Sequence, residues 1–318
     1  MTLAVFIENR PFFGAMLVHV PFLHALRERH PGARLVLFSP FAEAEFLAKL
    51  GVADEARLYP NDVRQILRSL RSARAGVVYS LRPFSLRLDL ALGLSGVPER
   101  VGFRSWLNAP LFTRTIPHDT SIYRPRKYLT LLPAGGAGPP ALDGWFRAQA
   151  STSPLRPETW GRYLGVLPGG GAGEFKLWGI ENFIAACEAL AARDPDLQFV
   201  FVLGTREAHH RERIEASSVA GRSRCLIDEP IPALSRVAMG AVAAVGNDCG
   251  PGHLFQMCGC PYACVMANHD GTAQQRIAEW VDTPNRPFAV TTKTPADIKT
   301  IPVDEVVGRV VRAMGPRD

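Results

Sequence analysis

The chain has 318 residues, 47% hydrophobic and 21% charged, with a mean hydropathy of +0.02, a balance that belongs to globular proteins and excludes disordered and collagen-like chains. The length predicts two domains, each able to bury its own core, and no apolar run approaches the ~20 residues that span a bilayer. The formal charge of +6 is uneven: residues 1–150 hold 19 Lys and Arg against 11 Asp and Glu, residues 151–318 hold 17 against 19. An anionic partner is therefore expected for the first half, be it an acidic small molecule, a phosphorylated glycan, a membrane surface or nucleic acid. The plainer alternative is that the arginines decorate solvated helices.

Residues 3–7 form a continuous apolar run that predicts a first strand, not a leader, because it lacks a basic start and a small-residue cleavage site. A loop through Gly14 leads to a predicted helix over 17–29, with His19, Phe22, Leu23 and Leu26 at helical spacing. Strand 35–38 is stopped by Ser39-Pro40, helix 41–50 ends at Gly51, a basic helix covers 62–74, and 77–79 is a third strand. Short buried strands alternating with helices mean a parallel sheet.

Residues 133–160, with their run of Pro, Ala and Gly at 133–140, carry no periodic pattern and are read as an interdomain linker region. The rhythm then restarts with strand 163–167, helix 180–193, strand 198–203, helices 206–217 and 231–240, strand 243–246, helix 253–258, strand 262–266 and a closing helix 304–314. The expected domains are 1–150 and 151–318, with the closing helix free to pack back on the first. The expected fold class is α/β, two Rossmann-like doubly wound domains, whose ligands lie beyond the carboxyl ends of the strands.

The densest chemistry lies in Val245-Gly246-Asn247-Asp248-Cys249-Gly250-Pro251-Gly252-His253-Leu254, followed by Gly259-Cys260-Pro261. A strand ends here and a helix begins, so free backbone amides and the positive end of a helix dipole would form a diphosphate site. Bare Cα atoms at Gly250 and Gly252 would admit an anion to the backbone, with Asp248 and His253 beside it. The simpler alternative makes Asp248 an ordinary N-cap. A second block runs from strand 164–167 through Pro168-Gly169-Gly170-Gly171 to Lys176-Leu177-Trp178. Its loop amides can face phosphate, and Lys176 adds a mobile cation.

Asn247-Asp248-Cys249-Gly250-Pro251-Gly252-His253-Leu254 resembles the signature of glycosyltransferase family 9, the ADP-heptose:lipopolysaccharide heptosyltransferases, in which Asn-Asp-Ser/Thr-Gly-Pro-x-His-Leu precedes a helix and a Gly-x-Pro turn. Cys249 stands where the family has a hydroxyl, and a thiol is the weaker hydrogen-bond partner. The Gly169–Trp178 block looks like the family's small-residue loop and Lys-x-Trp segment. The segment Phe201-Val202-Leu203-Gly204-Thr205-Arg206-Glu207 resembles its third donor loop, which makes Glu207 the candidate for the nucleoside ribose; the alternative is a carboxylate in the first turn of a helix. In the first half Gly14, Pro21 and Leu23 align with the family's opening, and residues 90–103 match well. The family's Asp, taken as the base that deprotonates the acceptor, falls on Ala15, and Ser80 stands where the family often has Asp.

The resemblance implies GT-B architecture, two domains facing across a cleft. Its first domain would bind an acceptor and its second a nucleoside diphosphate sugar, on Gly169, Gly170, Lys176, Glu207, Asp248, Cys249, Gly250 and His253. It implies an inverting, metal-independent transfer of a sugar, a heptose from ADP-heptose, to a hydroxyl of an anionic glycan or glycolipid such as lipopolysaccharide. No cofactor is expected. With Ala15 unable to take a proton, Glu8 just after the first strand is the first substitute base and His19 the second. The plainer readings are a loop carboxylate paired with Arg10 and a core-edge histidine. A donor-binding pseudoenzyme and a nucleotide-sugar epimerase of the same architecture are the alternatives. The expected location is the cytoplasm, with peripheral association at the inner face of the membrane. Nucleic acid is not an expected partner, because no nucleic-acid motif accompanies the basic residues. Six cysteines, four of them between 249 and 264, fit neither a disulfide framework nor a common zinc spacing and read as small core residues.

Overall fold

The computed structural model describes residues 1–7, 11–59, 62–106, 108–133, 141–171 and 173–316. It divides into two compact units, residues 1–120 with 124–141, and residues 121–123 with 142–318.

In the first unit the strands are β1 (Thr2–Phe6), β2 (Arg34–Ser39), β3 (Glu55–Leu58), β4 (Ala75–Ser80), β5 (Glu99–Arg104) and β6 (Arg114–Pro117). They make one sheet in the order β3-β2-β1-β4-β5-β6, parallel throughout. The apolar run at 3–7 and the run at 35–38 lie side by side in its centre, Leu3 opposite Leu35 and Val5 opposite Leu37. The helices are α1 (Phe13–Leu17), α2 (Val20–Arg29), α3 (Glu45–Lys49), α4 (Val63–Ala73), α5 (Leu86–Leu94) and α6 (Arg124–Leu129).

The helix expected over 17–29 begins only at Val20, as α2, and the loop expected through Gly14 is helical, as α1. Pro21 falls at the start of α2, where its missing amide proton costs nothing, but it could not donate back into a continuous helix. The strands β3, β5 and β6 escaped the hydrophobic pattern. β3 and β6 are sheet edges carrying Glu55, Arg57 and Arg114, which is how edges resist pairing with other chains. β5 carries Gly102 because a Cβ there would lie 2.6 Å from the Phe112 ring.

The second unit holds β7 (Tyr163–Leu167), β8 (Gln198–Leu203), β9 (Ser223–Ile227), β10 (Ala243–Asn247) and β11 (Tyr262–Val265), ordered β11-β10-β7-β8-β9 and all parallel. Its helices are α7 (Gly144–Thr152), α8 (Ile180–Arg193), α9 (His210–Glu215), α10 (Ile231–Gly240), α11 (Gly250–Met257), α12 (Ala273–Trp280) and α13 (Val303–Met314). Residues 141–160 are more than linker: α7 packs along α10, so the second unit begins at 142 instead of 151, while 134–140 lie outside the described residues. The closing helix α13 packs on α8, β10 and β11 of its own unit. Trp178, Phe183, Leu190, Phe199, Phe201, Val245 and Val307 share one buried cluster.

No described helix is long and apolar enough to cross a membrane.

Candidate functional site

In both sheets the strand order reverses beside the first strand, between β1 and β4 and between β7 and β10. A crevice opens beyond the carboxyl ends of the strands at such a point. In the second unit this is where both glycine-bearing blocks arrive, one after β7 and the other after β10.

Asn247, fully buried at the end of β10, joins them. Its Nδ2 donates to the Pro168 carbonyl at 2.6 Å and the Gly169 carbonyl at 3.3 Å, and its Oδ1 accepts from the Trp178 amide at 3.1 Å. Trp178 is itself buried, with its indole N–H donating to the Ile301 carbonyl at 3.0 Å. The Lys-x-Trp segment is thus pinned at its tryptophan, and this brings Lys176 over the end of β10. The Tyr262 hydroxyl donates to the Asn247 carbonyl at 2.5 Å, fixing the strand end from the other side.

Lys176 Nζ lies 2.6 Å from Asp248 Oδ2, and His253 Nε2 lies 3.6 Å from Asp248 Oδ1. The Asp248 side chain is 9% exposed and that of Lys176 20%. Burial alone would push the Asp248 carboxyl up; the Lys176 ammonium, the His253 ring and the Arg276 guanidinium together outweigh it and hold the carboxyl below its ordinary value. Asp248 is therefore a fixed carboxylate orienting a lysine and not a helix cap. Cys249 occupies the N-cap position of α11, with extended backbone and no side-chain cap.

Pro251 in the first turn of α11 has no amide proton, so the amides of Cys249, Gly250 and Gly252 make up that turn's donor set. Gly252 has a different task from the one its motif suggested: a Cβ there would fall 2.5 Å from the Tyr262 hydroxyl and 2.7 Å from its ring. Its missing side chain seats α11 on β11. Cys249 is buried, its sulfur 4.0 Å from the Leu167 carbonyl, and burial pushes its thiol up to about 12, so it stays protonated at neutral pH. Cys187, Cys258, Cys260 and Cys264 are buried too and their thiols are likewise raised. Among the described residues no group of three or more His, Cys, Asp or Glu is placed to hold a metal ion.

Glu207 does not sit in a helix. It lies in the turn after β8, its amide bonded to the Gly204 carbonyl at 3.0 Å, and α9 begins only at His210. Its carboxylate rests against two bare Cα atoms: a Cβ on Gly204 would be 2.7 Å from Oε2, and one on Gly169 would be 3.3 Å from Oε1. Gly169 therefore makes room for Glu207, whereas a Cβ on Gly170 would be 2.8 Å from a Leu177 methyl.

Lys176, Glu207, Asp248, Cys249, Gly250 and His253 are thus gathered, with Gly169 and Gly170, along the carboxyl edge of β7, β8 and β10. Three further groups at this edge were not picked out from the sequence. Asn247 was visible only as part of a motif. Arg276 lies in α12, whose buried residues are Ala273, Ile277 and Trp280, and it is held by Asp270 at 2.8 Å. Phe175, 44% exposed, packs its ring 4.4 Å from His269.

The substitute bases fare differently. His19 is 1% exposed, its ring stacked on Tyr128 at 5.0 Å and its Nδ1 3.1 Å from the Met16 carbonyl. Burial lowers its pKa to about 4, so it is a neutral core histidine with no surface from which to reach a hydroxyl. Glu8 lies outside the described residues. Ala15 is buried in α1.

No protein-family model matches the chain, and no curated protein matches it in sequence. Solved structures do match in fold. ADP-heptose lipopolysaccharide heptosyltransferase II of E. coli superimposes with a TM-score of 0.61 at 18% identity, over 99% of this chain and 98% of the other. An E. coli heptosyltransferase solved with ADP gives 0.65 at 14% identity, over 98% and 100%. The UDP-GlcNAc 2-epimerase of Methanocaldococcus jannaschii gives 0.56 at 10% identity, over 100% and 94%. The fold of this chain is therefore the two-domain α/β fold of the GT-B type, shared along almost its whole length with glycosyltransferase family 9 heptosyltransferases.

Proposed function

We propose that the protein is a glycosyltransferase that holds a nucleoside diphosphate sugar at the carboxyl ends of β7 and β10 and passes the sugar to a hydroxyl of an anionic acceptor. The observation that carries this reading is the buried Asp248 holding Lys176 at 2.6 Å beside the uncapped start of α11, at the one place in the sheet where topology opens a crevice. A fixed ammonium and a turn of free amides suit a diphosphate. Glu207, at the neighbouring strand end, suits the hydroxyls of a ribose.

In this reading the acceptor oxygen attacks the anomeric carbon, and the carbon–oxygen bond to the diphosphate breaks with inversion. The bond's electron pair leaves with the diphosphate, and the hydroxyl proton passes to a base. Lys176 and the α11 amides stabilise the charge that develops on the leaving group, so no metal takes part. With Ala15 at the position where the family carries its Asp and His19 neutral in the core, Glu8 is the base we propose. ADP-heptose is the proposed donor, and an acidic glycan or glycolipid of the lipopolysaccharide kind the proposed acceptor, on the strength of the motif at 247–254 and the basic first half.

Two other readings have their own support. A donor-binding protein without transfer is favoured by Ala15, and an epimerase by the fold match to UDP-GlcNAc 2-epimerases. Calorimetric titration with ADP is the first test: the wild type should bind, and Lys176→Ala and Asp248→Ala should each weaken binding at least ten-fold. No binding by the wild type overturns the proposal. Turnover of ADP-heptose with an acceptor that disappears in Glu8→Gln, at unchanged ADP affinity, supports transfer. Nucleotide release without any acceptor supports the epimerase.

A further inference from the structure

The helix α5 carries leucines on both its inward and its outward side, with Arg87 exposed beside the outward ones. Its inward residues Leu88, Ala91 and Leu92 are buried in one cluster with Ile66, Leu70 and Ala73 of α4, which places both helices on the same face of the first sheet, side by side. Leucines also line its outward side: Leu86, Leu90 and Leu94 recur at i, i+4 and i+8 and are 46%, 38% and 65% exposed. The outward face of a surface helix is normally polar, and a continuous exposed apolar stripe marks a contact surface. Trp106, 87% exposed, stands on the loop that Asn108 ties to Asp89 of α5 at 3.4 Å.

The neighbouring helix α4 is the opposite. Its outward side carries Arg64, Arg68 and Arg71 at i, i+4 and i+7, all exposed, and the helix contains no acidic residue. None of the three is in an ion pair with a described residue.

We propose that this α4–α5 face docks on the surface of an anionic lipid bilayer, with the leucine stripe at the acyl boundary and the arginine stripe among the headgroup phosphates. Both stripes must be satisfied by one occupant. A bilayer surface offers apolar depth and negative charge a few ångströms apart, and Leu, Trp and Arg side by side suit that boundary. Nucleic acid would engage the arginines and leave the leucines wet. A second copy would set one strongly basic half against another.

The test is co-sedimentation of the full chain with vesicles of phosphatidylcholine alone and of phosphatidylcholine mixed with phosphatidylglycerol. The wild type should sediment with the mixed vesicles only. Leu90→Gln with Leu94→Gln, and separately Arg64→Ser with Arg68→Ser and Arg71→Ser, should each lower the vesicle partition at least ten-fold while thermal unfolding and ADP binding stay as in the wild type. The substituted side chains are exposed, so the fold should survive both sets. Failure of the wild type to sediment overturns the proposal, as does unchanged partition of both variants. Light scattering that shows a dimer abolished by Leu90→Gln with Leu94→Gln would overturn it in favour of self-association.

Discussion

Asp248 and Asp89 are both buried carboxyls, Asp248 directly after β10 and Asp89 in the first turn of α5. Asp248 has Lys176 at 2.6 Å and stays ionised. Asp89 has the neutral amide of Asn108 at 3.4 Å, and burial pushes it up to about 6, against weaker opposing pulls from the Ser85 backbone, Asn108 and Arg82. His19, in the same unit as Asp89, is pushed the other way, to about 4. The second unit keeps the Asp248 charge by pairing it; in the first unit burial drives Asp89 and His19 toward neutrality. A paired charge at a sheet's carboxyl edge can orient a ligand, whereas a neutralised group in the core mainly tunes stability.

The sharpest way to break this contrast is Lys176→Met, which leaves the Asp248 carboxylate buried with its main partner gone. Removing one member of a buried pair costs about 3–5 kcal/mol, so urea denaturation should show the second unit unfolding at distinctly lower denaturant. An unchanged midpoint would mean that Asp248 draws its stabilisation elsewhere.

Asp89→Asn tests the other side through pH. The folded protein holds the Asp89 proton more tightly than the unfolded chain does, so this group's contribution to stability is present below about pH 4 and lost as pH rises through about 6. The substitution should therefore stabilise the first unit by about 3 kcal/mol at pH 8 and leave it unchanged at pH 4. His19 works with the opposite sign, its contribution being lost as pH falls from about 6.5 to about 4. The wild type should accordingly show a flatter stability profile across that range than Asp89→Asn does. An equal gain at both pH values would show that Asp89 acts through packing.

The smallest effect is expected from Cys249→Ser. It replaces a buried thiol by a hydroxyl near the Leu167 carbonyl, a change expected to stay within about 1 kcal/mol in stability and to move ADP affinity less than ten-fold. A larger change in affinity would make residue 249 a determinant of the donor.

Much of the second unit is legible from its pattern. Strands 163–167 and 198–203 and helices 180–193 and 231–240 lie at the expected residues, because long apolar runs ending in Gly, Pro or charged residues leave little choice. The first unit is harder to read. Its edge strands carry arginine and glutamate, and Pro21 marks the start of α2 within an apolar spacing that runs back to Leu17. Within the site, Lys176, Asp248 and His253 stood out as chemistry at strand ends, but Asn247 and Tyr262 looked like ordinary polar and core residues. Their roles rest on hydrogen bonds to residues between 15 and 79 positions away.

The linear pattern by itself determined the α/β class and the motif residues of the second unit, because hydrophobic period, glycine and proline act locally. Tertiary structure decided what each motif residue does. Only strand order brings the loops after β7 and β10 together, so only the folded sheet turns Asp248 from a prospective helix cap into the partner of Lys176. Burial of His19 against Tyr128, Glu207 seated on Gly169 and Gly204, and the pairing of a leucine stripe on α5 with an arginine stripe on α4 are likewise long-range outcomes. Each depends on which surfaces the sheet sets side by side, and no local propensity contains that.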